Sequence, residues 1–335
     1  MLDRVVTVRA PLRGGVAAAV VAVLLATSPA PVAAEPSRVV PTTVTAQVSS
    51  TAVKVGTAVS VTGTVLPPDP VTPRTVVLQV QTASGWRELG RTSSSPSGGY
   101  SFAAPTDWYG AHVLRVVAPA TATFDEGVSP VQQVRVKPAY KPRGKASAWK
   151  RLSPPARWDP CATIGYRTNL RRAPNKGSLK LVKRAFATLH AATGLRFRHL
   201  GRTTKVPFSG GPDARQFTSS GLVVAWTTPK VVKALAGGTA GIGGATSKSV
   251  NGGPWRYVYG GVSLDATQKL PGTRFGPGAS PGTLLLHELA HAMGLDHVRA
   301  RSQVMYPSLQ RGHRGRFEAG DLAGLRAVGA AQGCL

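Results

Sequence analysis

Cysteine is nearly missing from this chain: there are two in 335 residues, Cys161 and Cys334. None lies in residues 1–34, which argues against a lipid-anchored lipoprotein start. None lies in residues 35–138, which excludes an inter-sheet disulfide there. Carboxylates are also scarce, with 14 Asp and Glu against 41 Lys and Arg. Long apolar runs are absent after the first residues, so the mature chain has no transmembrane segment. The one early apolar run, residues 15–27, is short for a membrane span and follows Arg4, Arg9 and Arg13. Val32-Ala33-Ala34 then offers small residues for cleavage. Residues 1–34 therefore read as a secretory signal peptide, with an uncleaved anchor as the alternative. Export predicts an extracellular, secreted protein, with association to the cell wall as a further option.

In an oxidising compartment two cysteines tend to pair. A Cys161–Cys334 disulfide closes the C-terminal half like a clasp; two free thiols, or a thiolate on a metal, are the alternatives. The formal charge of +27 is uneven. Residues 35–138 hold 8 basic and 6 acidic side chains, whereas residues 151–335 hold 26 and 7. Such a field attracts polyanions such as anionic cell-wall polymers, nucleic acid, membranes or acidic proteins. A solvated surface of biased composition explains it equally well. No nucleic-acid-binding motif accompanies the charge.

Residues 35–138 alternate apolar and polar positions, as in Val59, Val61 and Val65 or Val76, Leu78 and Val80, between Gly/Pro/Ser turns. About seven strands of this kind predict an all-β sandwich. Residues 139–156 are basic and Pro-rich and read as an extended linker. Residues 157–335 mix periods. The predicted order is a strand at 164–170, a helix at 178–192, strands at 195–200, 221–227, 237–245 and 261–266, then a helix capped by Ser280 with Pro281 at its first position. The glycine-rich strand at 237–245 borders a cleft. An exposed edge at Ile242, Gly243 and Gly244 can pair with a substrate backbone, a flexible glycine loop being the alternative. His112, His190, His199 and His313 lack ligand spacing and read as surface or partly packed residues.

The most informative segment is His287-Glu288-Leu289-Ala290-His291-Ala292-Met293-Gly294-Leu295-Asp296-His297. On a helix, His287 and His291 are four apart and share one face. Gly294 can take the left-handed conformation that ends the helix and returns His297 as a third imidazole. Three imidazoles hold one Zn2+ and leave a fourth position for water, and Glu288 stands ready to take a proton. A surface helix with histidines, or a closed structural zinc site, is the competing reading. Five fixed positions, three of them the uncommon histidine, make an accidental match remote.

This segment resembles the matrixin branch of the metzincin metalloproteases. Val304-Met305-Tyr306-Pro307, whose methionine stands eight residues after His297, is similar to the matrixin methionine turn, and residues 317–325 are similar to the last matrixin helix. The resemblance implies an α+β domain at residues 157–335, with a mixed, mostly parallel sheet, an active-site helix and a C-terminal helix. It implies that Met305 floors the three imidazoles and that Pro307, Ser308 and Leu309 line a primed-side specificity pocket. Asp321 becomes either a buried brace near the turn or a plain helix-start carboxylate. Pro307 stands where some metzincins place a tyrosine ligand, so Tyr306 is not assigned to zinc. Residues 201–265 carry only Asp213 and Asp265 and no histidine, so ligands for structural calcium or a second zinc are lacking. The cysteine-switch motif is absent as well. The N-terminal module is similar to bacterial immunoglobulin-like modules of secreted enzymes. Together these imply a secreted zinc endopeptidase acting on protein or peptide. The alternatives are a non-enzymatic cell-wall-binding protein on the same scaffold, and a zinc amidase acting on peptidoglycan cross-bridges.

Overall fold

The computed structural model describes residues 39–69, 71–210, 221–249, 252–270 and 275–335. The expected signal peptide, and Asp213, lie outside them. Among the described residues, 39–137 form two sheets, one of four strands and one of six. Ser60–Leu66 centres the first and Thr75–Thr82 and Gly110–Ala118 the second. Their inward residues, including Val61, Val65, Leu78, Val80, Leu114 and Val116, form one apolar core. Ten strands replace the expected seven, because pieces of two or three residues such as Thr43–Val44 and Gly127–Val128 are too short to show a period.

The C-terminal half is built on a five-stranded sheet. Its strands are β1 (Thr163–Asn169), β2 (Arg196–Arg202), β3 (Gly221–Thr227), β4 (Gly241–Lys248) and β5 (Arg256–Asp265), in spatial order β2-β1-β3-β5-β4. Only β4 runs antiparallel, against β5. Every residue of β3 is buried, as a central parallel strand requires. β4 begins four residues later than the glycine pattern suggests, because 233–238 form a 3-10 turn first.

Helix α1 (Ser178–Thr193) buries Leu181, Val182, Ala185, Phe186 and Leu189 on one stripe. It ends where Gly194, at φ 70°, turns its N–H back to His190 O. Helix α2 (Pro281–Ala292) starts at Ser280, whose hydroxyl accepts from Thr283 N at 3.2 Å. It is buried along nearly its whole length. Helix α3 (Ala319–Val328) begins with a capping box between Glu318 and Asp321.

The segment 139–156 differs from the extended linker expected of it. Tyr140 O–H donates to Phe317 O at 2.6 Å, and Trp149 packs against the main core. Lys150–Arg151 pairs antiparallel with Leu295–Asp296, just before the third histidine. The prolines and glycines of this stretch mask two aromatic side chains whose burial holds it down.

The sandwich also joins the C-terminal half directly. Tyr109 N donates to Ala191 O and Ala83 N to Ala331 O, at 2.8 and 2.9 Å. The Arg326 guanidinium donates to Tyr109 O and Ala111 O at 3.2 and 3.1 Å. His112 and His313 are buried rather than at the surface. His190 Nε2 meets Asp107 Oδ2 at 3.0 Å while its Nδ1 faces Leu195 O at 2.8 Å. Two acceptors call for the doubly protonated ring, and its pKa is raised, first by Asp107 and against burial. Asp107 is correspondingly lowered by the His190 hydrogen bond.

Cys161 and Cys334 are bonded, with Cα atoms 5.4 Å apart across 173 residues of sequence. A loop of that length is worth about 5 kcal/mol in the chain-entropy limit, and native disulfides typically about 2–5 kcal/mol. Reductant should therefore lower the melting temperature, and thiol titration in denaturant should find no free thiol beforehand. A titratable thiol in the unreduced protein contradicts this. For His190, the raised pKa places its contribution fully below the ordinary value of 6.5, to be lost as pH rises through the folded value. His190→Gln should lower the melting temperature at about pH 6 and match the parent at about pH 9. An equal deficit at both pH values argues against the charged pair.

Candidate active site

Helix geometry places His287 and His291 on one face of α2, and the chain then turns at Gly294. Its φ is 102°, and a Cβ there would stand 2.9 Å from the Tyr257 hydroxyl, so both conformation and space favour glycine. Gly294 O is held by Leu152 N at 2.8 Å, and Ala292 O by the Trp158 indole at 2.9 Å. The return is thus fixed from both sides, and it delivers His297. The three Nε2 atoms come within 3.0–3.1 Å of one another.

The other face of each ring explains the convergence. His287 Nδ1–H donates to Val304 O at 2.6 Å, and His291 Nδ1–H to Leu295 O at 2.7 Å. Those bonds fix the tautomer and leave each Nε2 a bare lone pair. Burial first, then the neighbouring imidazoles, pushes the His287 pKa down to about 3. Burial likewise lowers His291 and His297. Three neutral rings aiming lone pairs at one point repel unless a cation lies among them. The donor set, three imidazole nitrogens, suits zinc.

Glu288 lies in the contact between α2 and β4. Burial raises its pKa to about 8, opposed by a hydrogen bond from Gly243 N–H. Gly241 lies directly over the side chain; a Cβ there would be 2.8 Å from Glu288 Cγ and Oε1. A Cβ on Gly243 would be 2.0 Å from the Glu288 carbonyl oxygen. The glycines at alternate positions of β4 thus let the strand lie on the helix backbone. Gly241 was missed in the sequence, although Gly241-x-Gly243 at strand spacing is the signal that could have found it. Ile242 and Gly244 face away from the helix, and only Gly243 of the three expected edge residues touches Glu288.

Met305 is fully buried in the same core as α2, beside the turn that supplies Val304 O. Asp321 is buried too. Its carboxylate accepts from Val304 N at 2.9 Å, Met305 N at 3.2 Å and Glu318 N at 2.9 Å. Both sequence readings of Asp321 thus describe one side chain, which caps α3 and braces the turn. Burial raises its pKa to about 6 despite those donors. Gln303 was not anticipated. Its Oε1 accepts from Gly320 N and Asp321 N, at 2.7 and 3.1 Å. Pro307 and Ser308 are exposed, while Leu309 packs against the core.

The close approach of β4 to α2 yields a paired prediction. Gly243→Ala should be destabilised by about 1–3 kcal/mol, the usual cost of overpacking. Gly244→Ala should be nearly neutral, because its Cβ meets only the Phe208 ring at 3.8 Å. Equal melting temperatures for the two variants contradict the geometry.

No curated protein matches this chain. Among solved structures, the PKD domain of human KIAA0319 aligns with 34% of this chain and 96% of its own length, at 19% identity and a TM-score of 0.22. That likeness is too slight to carry an argument. Residues 257–328 match the Matrixin family, and this stretch contains all three histidines, Glu288, Met305 and Asp321. The match supports a metzincin-like domain in the C-terminal half and, at the level of the family, a zinc-dependent metallopeptidase.

Proposed function

We propose that this chain is a secreted zinc endopeptidase with Glu288 as its general base. The observation that carries the reading is the convergence of three Nε2 atoms at 3.0–3.1 Å beside a buried carboxylate. Zinc held by His287, His291 and His297 would supply Lewis acidity to a substrate carbonyl and lower the pKa of water. The rest of the chemistry belongs to the chain. Glu288 takes a proton at its carboxylate and returns it to the leaving amine. Its burial makes it a better base than an exposed glutamate, and the Gly243 N–H restrains its direction. Val304 O and Leu295 O keep the histidine protons on Nδ1 throughout. The edge of β4 holds an extended peptide by backbone pairing, and Met305 gives the histidines an apolar floor.

The purified protein should carry one zinc per chain and cleave members of a peptide library. Glu288→Ala should keep the zinc and lose most of kcat, since it removes proton transfer and no ligand. His291→Ala should lose both. Full activity in the Glu288 variant rejects the mechanism. Cleavage confined to isolated peptidoglycan cross-bridges moves the assignment to the amidase reading, and zinc binding without hydrolysis moves it to the scaffold reading.

A further inference from the structure

Residues 160–210 contain eleven lysines and arginines and no aspartate or glutamate. They fold into β1, α1 and β2, which form the sheet edge opposite β4. β2 pairs with β1 alone among the described strands, so its other side is open. Arg196, Arg198 and Arg202 are exposed along it. Lys180, Lys183 and Arg184 are exposed on the outward face of α1. Phe197 packs on Phe186 with centroids 5.2 Å apart, which fastens this helix to this strand. Burial first, then the nearby Lys183 and Arg167 charges, lowers the His199 pKa, so bases from helix and sheet surround one edge. The ion pairs formed among the described residues involve none of these bases. Arg167 and Arg196 are anchored by backbone carbonyls, Leu200 O at 2.6 Å and Cys161 O at 2.9 Å.

The chemistry of this face narrows its partner. Its aromatic rings are turned inward, with Tyr166 stacked on Phe186 at 3.7 Å, so no platform for base stacking is presented. None of the exposed large apolar side chains falls in this segment, so nothing here inserts into a membrane or an apolar groove. What remains is a set of cations that flanks the edge from both faces: Phe197 faces α1, so Arg196 and Arg198, about 6.6 Å apart, stand on the face opposite Lys180 and Lys183. Guanidinium forks match phosphate oxygens in charge and geometry. We propose that the open edge of β2 and the outward face of α1 dock a linear phosphate polymer, recognised by repeated backbone charge. The sheet separates this edge from β4 by four strand spacings, about 19 Å, so a bound polymer leaves the cleft free.

The test measures binding of the full mature protein to inorganic polyphosphate and to poly(glycerol phosphate) against salt. Six phosphate contacts predict a slope of about −4 in log affinity against log salt. Lys183→Gln/Arg198→Gln/Arg202→Gln should halve that slope and weaken binding about tenfold or more. Lys54→Gln/Arg135→Gln/Lys137→Gln, which removes the same charge from the sandwich, should change neither. Whichever of the two polymers binds more tightly identifies the source of the phosphate. Equal losses in the two variants reduce the effect to net charge and overturn the surface. Equal or tighter binding of poly-glutamate overturns the phosphate assignment, and tighter binding of single-stranded DNA overturns recognition by backbone charge alone. Should the triple variant fold poorly, polyphosphate should protect Lys180 and Lys183 of the parent protein from acetylation and leave Lys54 and Lys137 reactive; uniform reactivity overturns the surface. Peptide cleavage should be unchanged in both variants, and the binding measurement stands whether or not the chain is a peptidase.

Discussion

Much of the C-terminal half depends on one buried carboxylate. Asp321 receives hydrogen bonds from Val304 N, Met305 N and Glu318 N, and so joins a helix start to the methionine turn. The turn in turn offers Val304 O to His287 Nδ1. Orientation therefore passes from a helix cap, through a peptide unit, to a candidate metal ligand. Each link is a bond that a buried polar group must make, because leaving it unmade costs about 1–3 kcal/mol. Gln303 doubles the connection by accepting from Gly320 N and Asp321 N, while its amide donates to Arg143 O at 3.2 Å in the segment ahead of the sheet.

A second constraint is closeness. β4 lies on α2 so tightly that the helix backbone occupies the volume of a Gly243 side chain. This contact, rather than any cavity, directs Glu288. One face of the strand steadies the carboxylate, and its outer edge has no strand paired to it among the described residues. The same economy governs the turn at Gly294, where Leu152 N and the Trp158 indole fix the backbone on both sides of a left-handed residue.

How much of this was legible in the sequence follows from the range of each interaction. The three histidines, Glu288 and Gly294 lie within eleven residues, so helix periodicity and one glycine give their geometry. The strands at Thr163–Asn169, Arg196–Arg202 and Gly221–Thr227 follow from runs of six or seven residues, whereas their spatial order was not readable. Contacts between distant segments were not readable. Tyr140 meets Phe317 across 177 positions, and His190 meets Asp107 across 83. Nothing local marks either partner. Gly241 looks like any residue of a glycine-rich loop until a helix is laid beneath it. The strands of two or three residues in the sandwich escaped because alternation needs length to be seen.

The docking of the sandwich has a further meaning for orientation. Arg326 grips two sandwich carbonyls, and backbone bonds from Tyr109 and Ala83 lock the same seam. A tethered module would let the cleft sample every direction about its anchor. Here the two halves share one bearing: any surface that captured the sandwich would also set which way the three histidines face, so that reach and aim become a single property of the molecule.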